Sequence, residues 1–157
     1  MALIFKEGKV QCHHIENSKN PNGQPIDNHT IFPIGSMSKP ITVAAMMILH
    51  GKGLINFEDK VFKYIPEFEN LTSKGEDKIY KCKKDLTLFH LMTHRSGYTC
   101  YGNPNFFTST LKYDNLKDFA SDVVKHLVAF EPGSKYLYGI NMGILVRIVE
   151  LVSNKNF

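Results

Sequence analysis

The sequence predicts an α/β (α+β) domain: a short antiparallel hairpin followed by a mostly helical region. Three observations predict it. Two triplets, the apolar Leu3-Ile4-Phe5 and the alternating Val10-Gln11-Cys12, flank a glycine-containing turn at the start of the chain. The almost wholly apolar run from Ile41 to Leu49 has the length of a helix segment, and later apolar positions recur at helical spacing.

Residues 3–15 form the expected hairpin, with Leu3-Ile4-Phe5 and Val10-Gln11-Cys12 flanking Lys6-Glu7-Gly8-Lys9, where Gly8 is free to take positive φ. Asn17 to Asn28, containing Asn20-Pro21-Asn22-Gly23 and Pro25, reads as an irregular loop. Thr30-Ile31-Phe32 is a short extended piece that Pro33 ends. The strongest helix runs from about Met37 to His50; Pro40 falls in its first turn, where a missing N–H is tolerated, and Gly51 and Gly53 stop it. Its apolar residues leave no polar face, so the expectation is a helix buried on nearly all sides.

Asn56 to Tyr64 reads as a turn and short helix that Pro66 terminates, and Glu69 to Asp85 as a lysine-rich loop with one short strand. A short helix is expected from Thr87 to before Gly97, and another from Leu116 to Val128, followed by a turn at Glu131-Pro132-Gly133. The last helix, Met142 to Val152, carries Leu145, Ile148, Val149 and Val152 on one face. An isolated hairpin is marginal in water. Nothing later in the sequence reads as further strands for it, so residues 1–157 look like part of one larger domain.

Composition narrows the function. Of 157 residues, 43% are hydrophobic and 22% charged, which excludes a wholly disordered chain. With 19 Lys+Arg against 15 Asp+Glu, the excess of four positive charges is too thin to imply a nucleic-acid partner. Ile41 to Leu49 falls well short of the ~20 apolar residues of a membrane span, and no signal-peptide stretch follows Met1. Cys12, Cys82 and Cys100 give no disulfide framework, so a reduced compartment is the simpler expectation, and the location is cytoplasmic only by default.

Ser-x-x-Lys occurs twice, at Ser36/Lys39 and Ser109/Lys112. Ser109 sits in a loop and reads as a surface serine. Ser36 opens the apolar helix, where the positive end of the helix dipole favours a developing oxyanion or alkoxide. Lys39 lies one turn on, along the same face. A serine hydroxyl is a weak nucleophile until a neighbouring base takes its proton, and an amine held in apolar surroundings can serve as that base or position it. An N-cap serine and a snorkelling lysine are the bland alternative; a lysine opening an otherwise apolar helix favours chemistry.

The surrounding residues are more specific. Phe32-Pro33-Ile34-Gly35-Ser36-Met37-Ser38-Lys39-Pro40 closely resembles the nucleophile segment of the β-lactamase-related serine hydrolases, which comprise class C β-lactamases, D-alanyl-D-alanine carboxypeptidases and related esterases. Leu49 to Asp59, Tyr64 to Phe68, Leu86 to Gly97, and Glu131-Pro132-Gly133-Ser134 through Tyr138-Gly139 to Ser153 resemble further family segments, in the same order. The resemblance implies an incomplete β-lactamase/transpeptidase-like fold. It makes Ser36 the acylated nucleophile, Lys39 its partner and Tyr138 the general base once cations acidify its phenol. Asn141 matches a substrate-binding asparagine only with a shift of one place, because the chain reads Tyr138-Gly139-Ile140-Asn141. That variant resembles the esterase-like members and favours an ester over an amide or β-lactam.

The resemblance implies small-molecule substrates and neither cofactor nor metal. The family's third motif, Lys-Thr-Gly or His-x-Gly, does not occur between Tyr138 and Phe157. The expectation is therefore a fragment, poorly active alone, with part of the Ile41–Leu49 helix uncovered; a non-catalytic remnant or binding domain is the rival. Other signals resolve to packing. His90 and His94 lack the glutamate of a zinc-protease motif, and Cys12-His13-His14 would alternate faces on a strand.

Overall fold

The computed structural model describes residues 2–16, 19–27, 29–75, 78–99 and 113–157. It divides into two compact units, Met1–Gly35 and Ser36–Phe157.

The first unit begins with strands β1 (Ala2–Lys6) and β2 (Lys9–His14), paired antiparallel. Glu7 and Gly8 both have positive φ, the two-residue turn whose twist matches the strands it joins. The turn is thus tighter than the four residues between the two triplets. Gln11 is an extra residue: the register passes from Ile4 opposite Cys12 to Phe5 opposite Val10, a β-bulge. Leu3, Ile4, Phe5 and Val10 are all more than half exposed. Asn20 then organises the expected loop by accepting hydrogen bonds from the N–H groups of Asn22 and Gln24.

The second unit holds the core. A 3₁₀ turn at Gly35–Met37 leads into α1 (Ser38–Gly51), close to the predicted limits. Helix α1 buries one face only, through Thr42, Met46 and Leu49, whereas Ile41, Met47 and Ile48 are more than half exposed. The expectation of a helix buried on nearly all sides is corrected, and the expectation that part of Ile41–Leu49 is uncovered agrees with this exposure: its long helical neighbour among the described residues is the C-terminal helix, which covers one side. The segment before Pro66 ends as expected, its 3₁₀ turn closing at Lys63 and Ile65 turning extended, but Pro66 does more than stop the chain. It opens a second 3₁₀ turn, Pro66–Asn70, after the one at Val61–Lys63, because a proline in the first turn gives up no hydrogen bond.

Strands β3 (Thr72–Lys74) and β4 (Ile79–Lys81) form a small antiparallel pair where one strand was expected. Val128 joins its edge: the Val128 N–H donates to the Thr72 carbonyl, and the Lys74 N–H to the Val128 carbonyl. That pairing competes with helix, so the helix expected to reach Val128 stops earlier. Helix α2 (Leu88–Met92) is capped by Thr87, whose hydroxyl accepts the His90 N–H while His90 Nδ1 accepts the Thr87 N–H. Helix α3 spans Leu116–Val123 and α4 spans Asn141–Ser153. Helix α4 is the centre of the unit. It packs on α1, α2 and α3, with Ile144, Leu145 and Ile148 wholly buried. No helix among the described residues is long and apolar enough to cross a membrane.

Candidate active site

Ser36 lies in the 3₁₀ turn that feeds α1, and the preceding Gly35 has φ +52°. Lys39, in the first turn of α1, donates from Nζ to Ser36 Oγ at 3.0 Å. Tyr138, from the irregular segment leading into α4, has its Oη 2.8 Å from Ser36 Oγ. An ammonium can only donate. With Lys39 donating to Oγ, the seryl hydrogen stays free to point at Tyr138 Oη, the direction a proton transfer to Tyr138 needs. Lys39 Nζ also stands 4.9 Å from the centre of the Tyr138 ring, where a cation draws negative charge toward the phenol.

Tyr138 is held from behind by His94, which follows α2. The His94 carbonyl accepts the Leu137 N–H at 2.9 Å, and its Nδ1 accepts the Gly139 N–H at 3.2 Å. The residues on both sides of Tyr138 are therefore fastened to one histidine. The two rings stack, with centroids 4.6 Å apart and planes 25° from parallel. His94 adopts φ +55°, a left-handed conformation uncommon outside glycine.

A main-chain N–H can only donate, so Nδ1 carries no proton and Asn141 Nδ2, 2.8 Å away, must also donate to it. Asn141 Oδ1 then accepts the Ser96 hydroxyl, and Ser96 Oγ accepts the Tyr98 N–H. The direction of the whole chain is set by its two main-chain ends. Burial and, secondarily, the nearby Lys39 charge push the His94 imidazole below the ordinary histidine range, favouring the same neutral form.

A model of the Beta-lactamase family matches residues 2–157. The chain belongs to that family. It is similar to esterase EstB of Burkholderia gladioli, with 24% identity over 96% of this chain and 40% of that protein. It is also similar to penicillin-binding protein 4* of Bacillus subtilis, with 27% identity over 99% of this chain and 33% of that one. Among solved structures, the octameric penicillin-binding protein homologue from Pyrococcus abyssi superposes with a TM-score of 0.73 at 28% identity, over 98% of this chain and 35% of that one. The α+β fold is thus that of the family, and the chain spans less than half the length of these relatives.

Of the residues singled out in the sequence, Ser36, Lys39 and Tyr138 are brought together within hydrogen-bond reach. Asn141 is brought to His94 and Ser96 instead, and its side chain is fully buried. The second Ser-x-x-Lys pair, Ser109 and Lys112, lies outside the described residues, as does Cys100. Sequence reasoning set His94 aside as a packing residue and passed over Ser96; their position in the Leu86–Gly97 segment, which resembles the family, was the available signal. Among the described residues no group of three or more His, Cys, Asp or Glu side chains could hold a metal ion.

Proposed function

We propose that the chain carries the nucleophile, its lysine partner and the general base of a serine hydrolase that works through an acyl-enzyme. The supporting observation is that Ser36 Oγ lies within hydrogen-bond distance of both Lys39 Nζ and Tyr138 Oη. Ser36 Oγ attacks a carbonyl carbon while its proton passes to the Tyr138 phenolate oxygen, which becomes a neutral phenol; the Lys39 ammonium favours the phenolate form from which this step starts. Collapse of the tetrahedral adduct expels the alcohol, amine or lactam nitrogen, which takes the proton from Tyr138. Water then releases the acyl group by the reverse proton path, and Ser36 regains its hydrogen.

An ester is the favoured substrate. The chain has Tyr138-Gly139 where a Tyr-x-Asn form would supply a substrate-binding amide, and the nearby Asn141 is too deeply buried to touch a ligand. Similarity to a protein named an esterase agrees with this choice. The test is hydrolysis of a p-nitrophenyl ester series against a chromogenic cephalosporin, each beside Ser36→Ala. Ester turnover that depends on Ser36 and exceeds lactam turnover supports the reading. Turnover unchanged in Ser36→Ala overturns it.

A further inference from the structure

We propose that His94 is the positioning residue for acyl transfer at Ser36: its neutral imidazole fixes the Tyr138 phenol against the nucleophile through one hydrogen bond and a ring stack, beside a second hydrogen bond accepted by its main-chain carbonyl. The inference rests on the acyl-transfer reading above, and it assigns a role to a side chain that the proton path itself does not use.

The geometry is specific to this task. His94 accepts from both neighbours of Tyr138, Leu137 through its carbonyl and Gly139 through its ring, so the tyrosine cannot shift along the chain without breaking one of them. The stacked imidazole blocks movement of the phenol toward the ring face that it covers. Asn141, itself bonded to Ser96, fixes the rotation of the imidazole, and the Gly139 N–H leaves Nδ1 no choice but to accept. Two of its three hydrogen-bond partners, Leu137 and Gly139, flank Tyr138 and so bear on the placement of its hydroxyl.

Protonation would undo the arrangement. A hydrogen on Nδ1 would face the Gly139 N–H and the Asn141 amide, both donors. Among the described residues, the ionisable groups against the ring are Lys39 from α1, Tyr138 stacked on it, and Tyr136 edge-on at 6.1 Å; α4 contributes the uncharged Asn141. None of these is a carboxylate that would hold an imidazolium.

The experiment measures the rate of Ser36 labelling by a fluorophosphonate in wild type, His94→Ala, His94→Asn, Tyr138→Phe and the His94→Ala/Tyr138→Phe double variant, with a thermal melt of each. His94→Ala is expected to slow labelling about 100-fold, the cost of a misplaced reacting group. His94→Asn tolerates the left-handed backbone and keeps an acceptor near Nδ1, so it should fold and recover about tenfold of that loss. In the Tyr138→Phe background, His94→Ala should cost less than about threefold, because the group it positions is gone. Equal losses in the two backgrounds, or folded Ala and Asn variants equally slow, would overturn the proposal. So would imidazole nitrogen NMR of the wild type showing a proton on Nδ1. A folded wild type that takes no label at Ser36 refutes the hydrolase reading and the positioning role with it. A labelled wild type indifferent to His94 refutes the positioning role alone.

Discussion

Gly139→Ala tests how tightly Tyr138 is held, and its effect follows from the structure. A Cβ at position 139 would stand 2.0 Å from the Tyr98 carbonyl oxygen, 2.9 Å from the Tyr98 carbonyl carbon and 3.0 Å from Thr99 Cα. All three are main-chain atoms, so no side chain can swing aside. Relieving the oxygen contact alone requires the two segments to part by about 1 Å, and the Gly139 N–H bond to His94 lies in the strained stretch. A displacement of about 1 Å at a reacting group costs roughly 100-fold in rate. The assay is the time course of fluorophosphonate labelling at Ser36, read by intact mass, with a denaturation curve to show that the variant is folded. Labelling within about threefold of wild type in a folded Gly139→Ala protein would refute the argument that this main-chain contact places the phenol.

Thr87→Ala removes the cap of α2 and should lower stability by about 1 kcal/mol in chemical denaturation, with Ser36 labelling unchanged. Ile148→Ala opens a cavity in the wholly buried face of α4 and should cost about 2–5 kcal/mol, seen as a lower melting temperature. Burial alone would raise the Asp59 carboxyl, yet hydrogen bonds from Tyr64, the Asn56 N–H and Lys63 hold it below the usual carboxylate range. A folded-state value below the unfolded 3.8 contributes stability above that pH and loses it as acid is added through the lowered value. Asp59→Asn should therefore flatten the acid side of a stability-against-pH curve, and an unchanged acid limb would contradict the assignment.

Local chemistry explains which elements were legible. Gly8 between the two triplets announced the β1–β2 turn, and the apolar spacing of Leu145, Ile148, Val149 and Val152 announced α4, because each signal is contained in a few consecutive residues. The β3–β4 pair was half hidden, since Thr72–Lys74 and Ile79–Lys81 are short and lysine-bearing and gain their order from each other and from Val128. The full burial expected of α1 failed for a related reason: apolar residues say that a face needs cover, and the cover itself lies elsewhere. In the site, Ser36 and Lys39 were visible from helical spacing and Tyr138 from the family resemblance. The chain from His94 to Asn141 and Ser96 joins residues more than forty positions apart, and no local pattern encodes its direction.

The central claim is that Ser36 is a nucleophile whose proton leaves through Tyr138. Peptide mapping by mass spectrometry after fluorophosphonate treatment of wild type, Ser36→Ala and Tyr138→Phe tests it most directly. The expected result is a single adduct on Ser36, absent in Ser36→Ala, and formed in Tyr138→Phe at a rate lower by about 100-fold or more. An adduct on Ser109 or another serine, or equal labelling of wild type and Tyr138→Phe, would contradict the account.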